Sequence, residues 1–401
     1  MCCLEKGEIL ERWQKSLWTL WACVLLSAAS YTMVVPFLPL YLLDLGVNSA
    51  NINLWSGVVF SVTFLISSLM APYWGARADR YGKRKMVIRA GISLGVVYFL
   101  GGLVRTPEQL FLVRALQGFA NGFVPASLSI VASSAPENKM GWSLGIMQTG
   151  LATGGILGPL LGGVLAHLFG MRVSFAIAAA AILLATLAVW FFVEEKQSET
   201  QPQASTIRDD LKTAAGNTPL LGILLLLMTV QVVVMILQPL ITLHVAHLQG
   251  SLEGAVLSSG IIFSLTGVAG ILAAPSWGKF GQNVGFYKVL CIALLGAGLM
   301  NSCQFLVSNI WQFSILQFVF GLFIIGVYPS INTLIVEHTD LHFRGRAFGL
   351  ATSANQMGGM IGPLLGGIAG SWISVKYIFV STGILLLVSS FLIWKKARHE
   401  K

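Results

Sequence analysis

APYWGARADRYG, residues 71–82, returns as APSWGKFGQNVG at 274–285. The offset between the copies is 203, and the same offset pairs Pro36 with Pro239, Gly118 with Gly321 and Leu112 with Ile315. One residue further on, GGILGPLLGG at 154–163 pairs with GGMIGPLLGG at 358–367, and Gly141 and Gly145 pair with Gly345 and Gly349. Chance supplies one such match between glycine-rich segments. Several, in one order and at nearly one offset, imply duplication of a six-helix unit. Parallel repeats of six spans make two bundles with a substrate site between them near the membrane midplane.

The residues around these copies are those of a membrane protein. Of 401 residues, 55% are hydrophobic and only 10% are charged, against about 25% charged in soluble domains. A water-soluble core of that composition would leave too much apolar surface wet. The apolar residues come in runs near the ~20 residues that an α-helix needs to cross hydrocarbon. Twelve spans are predicted, near 17–43, 54–75, 86–104, 109–135, 142–169, 173–193, 220–243, 254–277, 286–307, 310–336, 347–372 and 377–394. The expected fold is therefore all-α, with twelve transmembrane helices in two pseudo-symmetric six-helix bundles. The expected divisions are an N-terminal segment 1–16, a bundle 17–193, a linker 194–219, a bundle 220–394 and a tail 395–401. The linker, EEKQSETQPQASTIRDDLKTAAGNTP, has the composition of a solvated connection.

A net charge of +9 raises nucleic acid as a partner, but the basic residues border apolar runs and follow the positive-inside rule instead. With twelve spans, the cluster at 77–89, the linker and both termini share one side, while Arg105, Arg172 and Lys376 fall on the other. Both termini are thus expected in the cytoplasm. The cysteines Cys2, Cys3, Cys23, Cys291 and Cys303 show no metal-ligand spacing. No nucleotide-binding loop and no nucleophile–base constellation is present, so neither ATP-driven chemistry nor an enzyme is expected. No cofactor, metal or nucleic acid is expected; the partners are a small-molecule substrate, protons and the lipid bilayer, and the chain is expected to be a monomer.

Several stretches resemble the major facilitator superfamily over nearly the whole chain. Gly75-Ala-Arg-Ala-Asp79-Arg80-Tyr-Gly82-Lys83-Arg84-Lys85 is similar to its signature between helices 2 and 3, with Arg77 where an aliphatic residue is usual. Leu112-Val-Arg114-Ala-Leu-Gln117-Gly118 resembles the helix 4 signature, and Gly150 to Gly163 the helix 5 signature of drug–proton antiporters. Pro36-Phe-Leu-Pro39, the WSG at 55–57 and FVPAS at 123–127 are similar to bacterial twelve-span multidrug exporters of that branch. The resemblance implies export of drugs or other small amphiphiles by alternating access, in exchange for protons, across the plasma membrane of a bacterium. Two alternatives remain open: a specific exporter or facilitator of a sugar, an organic anion or a lysolipid, and a membrane sensor or scaffold that transports nothing.

The motifs carry physical readings of their own. In the 75–85 loop, glycines permit a tight turn, and Asp79 is expected to face the N–H groups and positive dipole end of a helix near Arg344–Gly349. Lys83 is expected to pair with Glu137. Such contacts would close the cytoplasmic side; the plainer alternative is a positive-inside loop that only holds topology. The repeat favours the gate, because Gln282 and Asn283 replace Asp79 and Arg80. Arg114 is a charge inside a predicted span, and such a charge is functional by default. It has no acidic neighbour three or four residues away, so its partner is expected on another helix, in water or on the substrate. A guanidinium stays charged and cannot itself carry the proton; the resemblance assigns it to proton coupling.

Polar side chains inside spans face cavities or neighbouring helices. Tyr31, Gln117, Asn121, Gln231, Gln238, Tyr328, Asn332 and Asn355 are the candidate substrate contacts, each equally read as interhelical glue. Those on helices 1, 4, 7 and 10 rank first because the resemblance implies that those helices line the cavity. Gly154, Gly158 and Gly162 permit close helix approach and Pro159 bends the span, as Gly362 and Pro363 do in the repeat. The resemblance makes this a hinge or leak barrier. Asp44, Glu108, Glu253 and Glu337 all border spans, which leaves the predicted interior neutral to positive.

Overall fold

The computed structural model describes residues 2–136, 139–195, 207–340 and 343–399. Their regular structure is helical: α1 (Cys2–Thr32), α2 (Leu38–Asp44), α3 (Ile52–Tyr81), α4 (Lys83–Leu103), α5 (Pro107–Ala120), α6 (Phe123–Ser134), α7 (Met140–Phe169), α8 (Met171–Phe192), α9 (Ile207–Gly216), α10 (Thr218–Gln249), α11 (Ala255–Val284), α12 (Phe286–Cys303), α13 (Ile310–Ile324), α14 (Val327–Glu337), α15 (Arg344–Trp372) and α16 (Val375–His399). Among the described residues, ten helical stretches are long and apolar enough to cross a bilayer, α5–α6 and α13–α14 each counting as one. The chain is a multi-pass α-helical membrane protein. α15 falls outside that group because Asn355, Gln356 and the many glycines after them dilute its hydropathy.

Several predicted spans are interrupted, each for a local reason. The first ends at Thr32 and resumes at Leu38; Pro36 lacks an N–H and its ring excludes the helical carbonyl four residues back. The span through Arg114 breaks between Ala120 and Phe123, where Gly122 adopts φ 127, a conformation that a side chain resists. Its repeat breaks at Ile325–Gly326. In the other direction, α3 stays helical to Tyr81, so most of the predicted 75–85 loop is helix. Arg77 stacks on Tyr73, 4.7 Å away and one turn earlier, the spacing at which helix neighbours meet. The turn itself is confined to Gly82, φ 97, and in the repeat to Gly285, φ 92. Within the predicted linker, 196–206 lies outside the described residues. Its C-terminal part forms α9, because Ala214 buries against α10 and its neighbours.

The chain divides into two compact units, 1–37 with 65–201 and 38–64 with 202–401. Helix α3 begins in the second unit and ends in the first. The N-terminal part of α3 belongs with the second unit because Gly57 and Asn53 lie against α15: a methyl on Gly57 would stand 2.9 Å from Gly367 Cα, and Asn53 Nδ2 donates to Gly370 O at 2.5 Å.

Within the first unit, α7 lies along α1 and α8 along α4; within the second, α15 lies along α10 and α16 along α12. The glycines of the repeated segment explain the first pairing in each case. A methyl on Gly158 would stand 2.6 Å from Ala29 O, and one on Gly362 2.8 Å from Val232 O. Thr32 Oγ1 donates to both Ala28 O and Gly154 O, at 2.9 and 3.2 Å. Small residues let the backbones approach this closely in lipid, where packing rather than apolar burial drives helix association.

Candidate functional site

Arg114 lies on α5 and is 2% exposed. Its Nη1 donates to Gln117 Oε1 at 2.6 Å, and Gln117 Nε2 donates to Tyr98 OH on α4 at 2.8 Å. Tyr31 of α1 and Tyr98 lie within electrostatic reach of the guanidinium. One acceptor is three residues along the same helix, and through it Tyr98 of α4 joins the cluster. A charge at this depth needs such hydrogen bonds to persist. Arg114, Gln117 and Tyr31 are brought together as one cluster.

The second unit holds its uncharged counterpart. Gln317 occupies the repeat position of Arg114 and Asn301 that of Tyr98. Gln317 Nε2 donates to Gln304 Oε1 at 3.1 Å, Gln304 Nε2 to Asn301 Oδ1 at 3.4 Å, and Asn301 Nδ2 to Thr382 Oγ1 at 2.8 Å. Arg114, Gln117 and Tyr98 are buried, as are Gln317, Gln304, Asn301 and Thr382; Tyr31 is half-buried. The duplication kept the polar connection and left the charge in one half.

Gln231 on α10 accepts a hydrogen bond from Tyr328 OH on α14 at 3.2 Å. Gln238 follows two turns along α10, half-buried. Asn355 on α15 is half-buried, and its buried Oδ1 has no hydrogen-bond partner among the described residues. Gly358, one turn beyond it, packs on Gln231. Asn332 is exposed on α14. Asn121 stands apart from the Arg114 cluster: its Nδ2 donates to Ser67 Oγ at 2.8 Å, at the break between α5 and α6. Asp44, Glu108, Glu253 and Glu337 are all exposed.

At the 75–85 segment, the side chain of Asp79 and the whole of Glu137 lie outside the described residues. The start of α4 contacts Glu195: the backbone N–H of Lys83 donates to Glu195 Oε1 at 2.7 Å, and that of Arg84 to Oε2 at 2.9 Å. The carboxylate caps the start of α4, meeting the unpaired N–H groups and the positive dipole end. Lys83 Nζ donates to Ser129 O at 3.4 Å, and Arg84 Nη2 donates to Trp190 O. Gly75 sits inside α3 with open space around it, and Arg80 stacks on Tyr81 at 5.5 Å.

Four further residues matter here that the sequence motifs leave without a role: Glu195, Arg89, Trp74 and Trp277. Glu195 was part of a polar linker, and no local signal marks it. Arg89, the last residue of the 77–89 basic cluster, lies inside α4, 3.6 Å over the Trp74 ring, and donates to Ala120 O and Asn121 O at 3.3 Å each. It thus joins Arg114 as a cation inside a span, placed at the negative end of α5. Trp74 Nε1 donates to Phe119 O at 2.8 Å, and in the second unit Trp277 Nε1 donates to Leu322 O at 2.7 Å. The repeated Trp-Gly pair was the available signal for these. Among the described residues, no group of histidine, cysteine and carboxylates is arranged to hold a metal.

A sequence profile described as Major Facilitator Superfamily matches residues 20–279 and 245–401. The chain is 34% identical over 400 residues to "Multidrug resistance protein MdtG" of Citrobacter koseri, covering 99% of this chain and 98% of that protein. It is 34% identical over 391 residues to the protein of the same name in Escherichia fergusonii, covering 97% and 96%. Its fold is similar to the crystal structure of a mutant of the nucleoside transporter NupG, with a TM-score of 0.82 at 15% identity, covering 95% of this chain and 99% of that one.

Proposed function

The chain belongs to the major facilitator superfamily, and on that premise we propose that it is a secondary transporter exporting drugs or other small amphiphiles by alternating access, in exchange for protons. The observation that carries this reading is similarity over essentially the full length to proteins named for multidrug resistance. We read the ten apolar stretches, together with α1–α2 and α15, as twelve spans. On this reading they form two six-helix bundles, 17–193 and 220–394, related by a pseudo-two-fold axis along the membrane normal, with both termini in the cytoplasm of a bacterium. The chain works as a monomer and needs no cofactor beyond the proton gradient.

Asp79 and the capped start of α4 form the inner gate, the Gly154–Gly162 and Gly362–Pro363 segments bend with it, and Gln231, Gln238, Tyr328, Asn332 and Asn355 contribute substrate contacts. Arg114 supplies a fixed positive charge, which biases protonation of nearby groups and favours neutral or anionic amphiphiles over permanent dications. The same observation supports the second reading, a specific organic-anion exporter. Efflux from cells lacking other pumps, tested with several unrelated compounds and with a protonophore, separates the readings. Expulsion of several compounds that stops when the gradient collapses supports proton-coupled multidrug export. Expulsion of one anion alone supports the second reading, and no expulsion refutes both.

A further inference from the structure

Between α4 and α8, on the surface of the first unit, lies a groove of about 550 Å³ lined by Ile92, Ala180, Leu183, Leu184, Leu187 and Trp190. That is within the size range of small-molecule sites. Its one polar lining residue, Thr186, spends its hydroxyl on Ile182 O at 2.7 Å, so the groove presents carbon. Gly91 and Gly95 fix its depth, because α8 side chains Thr186 and Leu183 occupy the space where their Cβ atoms would be. Leu184, Leu187 and Trp190 are more than half exposed, and in a membrane-spanning pair of helices that exposure is to lipid.

One end of the groove is charged. Arg84 Nη2 donates to the carbonyl of Trp190, the last lining residue. Arg84 Nε is buried with no hydrogen-bond partner among the described residues. Lys83 and Lys85 flank it, while Glu195 is occupied by the backbone N–H groups of Lys83 and Arg84. Glu195 thus meets the backbone of α4 rather than the Arg84 guanidinium, whose acceptor is the neutral Trp190 carbonyl, and this leaves the Arg84 charge without a direct carboxylate among the described residues. Basic clusters beside transmembrane helices on the cytoplasmic side bind anionic headgroups, and an exposed Trp marks the depth of the interface.

We propose that this groove is a binding site for one anionic phospholipid, its acyl chain lying along Ala180–Leu187 and its phosphate held by Arg84. The occupant is anionic because the positive end needs a counter-charge that the surrounding side chains do not fully supply. It is a lipid because the remaining wall is apolar and open to the bilayer. The phosphate then bears on the segment that begins α4, which makes the 75–85 motif sensitive to the lipid around it.

The test is native mass spectrometry of the purified full chain, titrated with phosphatidylglycerol or with phosphatidylcholine of the same acyl chains. About one basic contact to an anionic headgroup corresponds to roughly five-fold in affinity, so phosphatidylglycerol should bind about five-fold more tightly. Arg84→Gln should reduce phosphatidylglycerol to the level of phosphatidylcholine. Ala180→Phe, at an exposed wall position, should fill the seat and weaken both lipids; Leu187→Trp serves the same purpose should the first fail to fold. Equal binding of the two lipids to the wild type overturns the proposal. So does a headgroup preference that survives Arg84→Gln, or binding of both lipids that survives the groove-filling variants.

Discussion

Glu195→Ala removes one side chain that holds two backbone N–H groups, those of Lys83 and Arg84, at 2.7 and 2.9 Å. Loss of a capping side chain costs about 0.5–2 kcal/mol. The upper half of that range applies here, since the acceptor is a carboxylate and takes both bonds, although partial exposure of Glu195 keeps the figure below that of a buried charge. An increment of about 1–2 kcal/mol raises the open population of the first turn of α4 by roughly 5–30-fold. Hydrogen exchange of the peptide covering 82–90, with the protein in lipid nanodiscs, reads that population directly. Exchange at Lys83 and Arg84 should accelerate by that factor in Glu195→Ala and by less in Glu195→Gln, which keeps one acceptor oxygen. Peptides of α13 and α14, in the other unit, should be unaffected. Exchange of 82–90 at the wild-type rate in Glu195→Ala would refute the capping argument, and with it any role for the chain after α8 in holding the 75–85 segment.

Asp79→Asn should abolish or strongly reduce efflux while expression stays intact; normal efflux in that variant counts against the inner gate. In vesicles with an imposed pH gradient, Arg114→Ala should lose transport of an anionic amphiphile more than that of a dication, and dication transport that exceeds anion transport and survives the substitution would contradict the charge preference. Gly158→Val should cost the ~1–3 kcal/mol of stability typical of overpacking and so lower the thermal midpoint of the purified protein, because Ala29 and Thr32 already occupy the space. Gly155→Val, whose Cβ would meet nothing within 4 Å, should leave the midpoint near wild type; equal effects of the two would show that helix approach is not what those glycines serve.

What the sequence reveals here depends on whether the cause of a feature is local. The glycines of the two GPLLGG segments are legible because close backbone approach excludes every larger residue, so the requirement is written in the residue type itself. Gly82 and Gly285 are legible for the same reason, as positions of positive φ. The helix from Gly75 to Tyr81 is not legible by hydropathy, since a charged helix leaving the bilayer looks like a loop. The breaks at 121–122 and 325–326 are hidden because apolar residues continue on both sides. Glu195 is hidden because its partners stand more than a hundred residues earlier, and only the fold brings them together. Arg89 was within reach of the rule that singled out Arg114, but its place near the edge of a span allowed the loop cluster to absorb it.

The two tryptophan bonds have a history and a mechanical meaning. Trp74 to Phe119 and Trp277 to Leu322 are each separated by 45 residues, so one splint was present before the gene doubled and both descendants kept it. Arg89 has no such twin, since Ile292 stands at its repeat position. The splint is therefore ancestral and the arginine brace is either a later addition or a loss in the other copy. In each half the indole clamps the broken helix just ahead of its interruption, to a neighbour that bears the tryptophan. The fracture is thus braced in the same way in both halves, which points to joints outside it for the flexing that any reorientation requires.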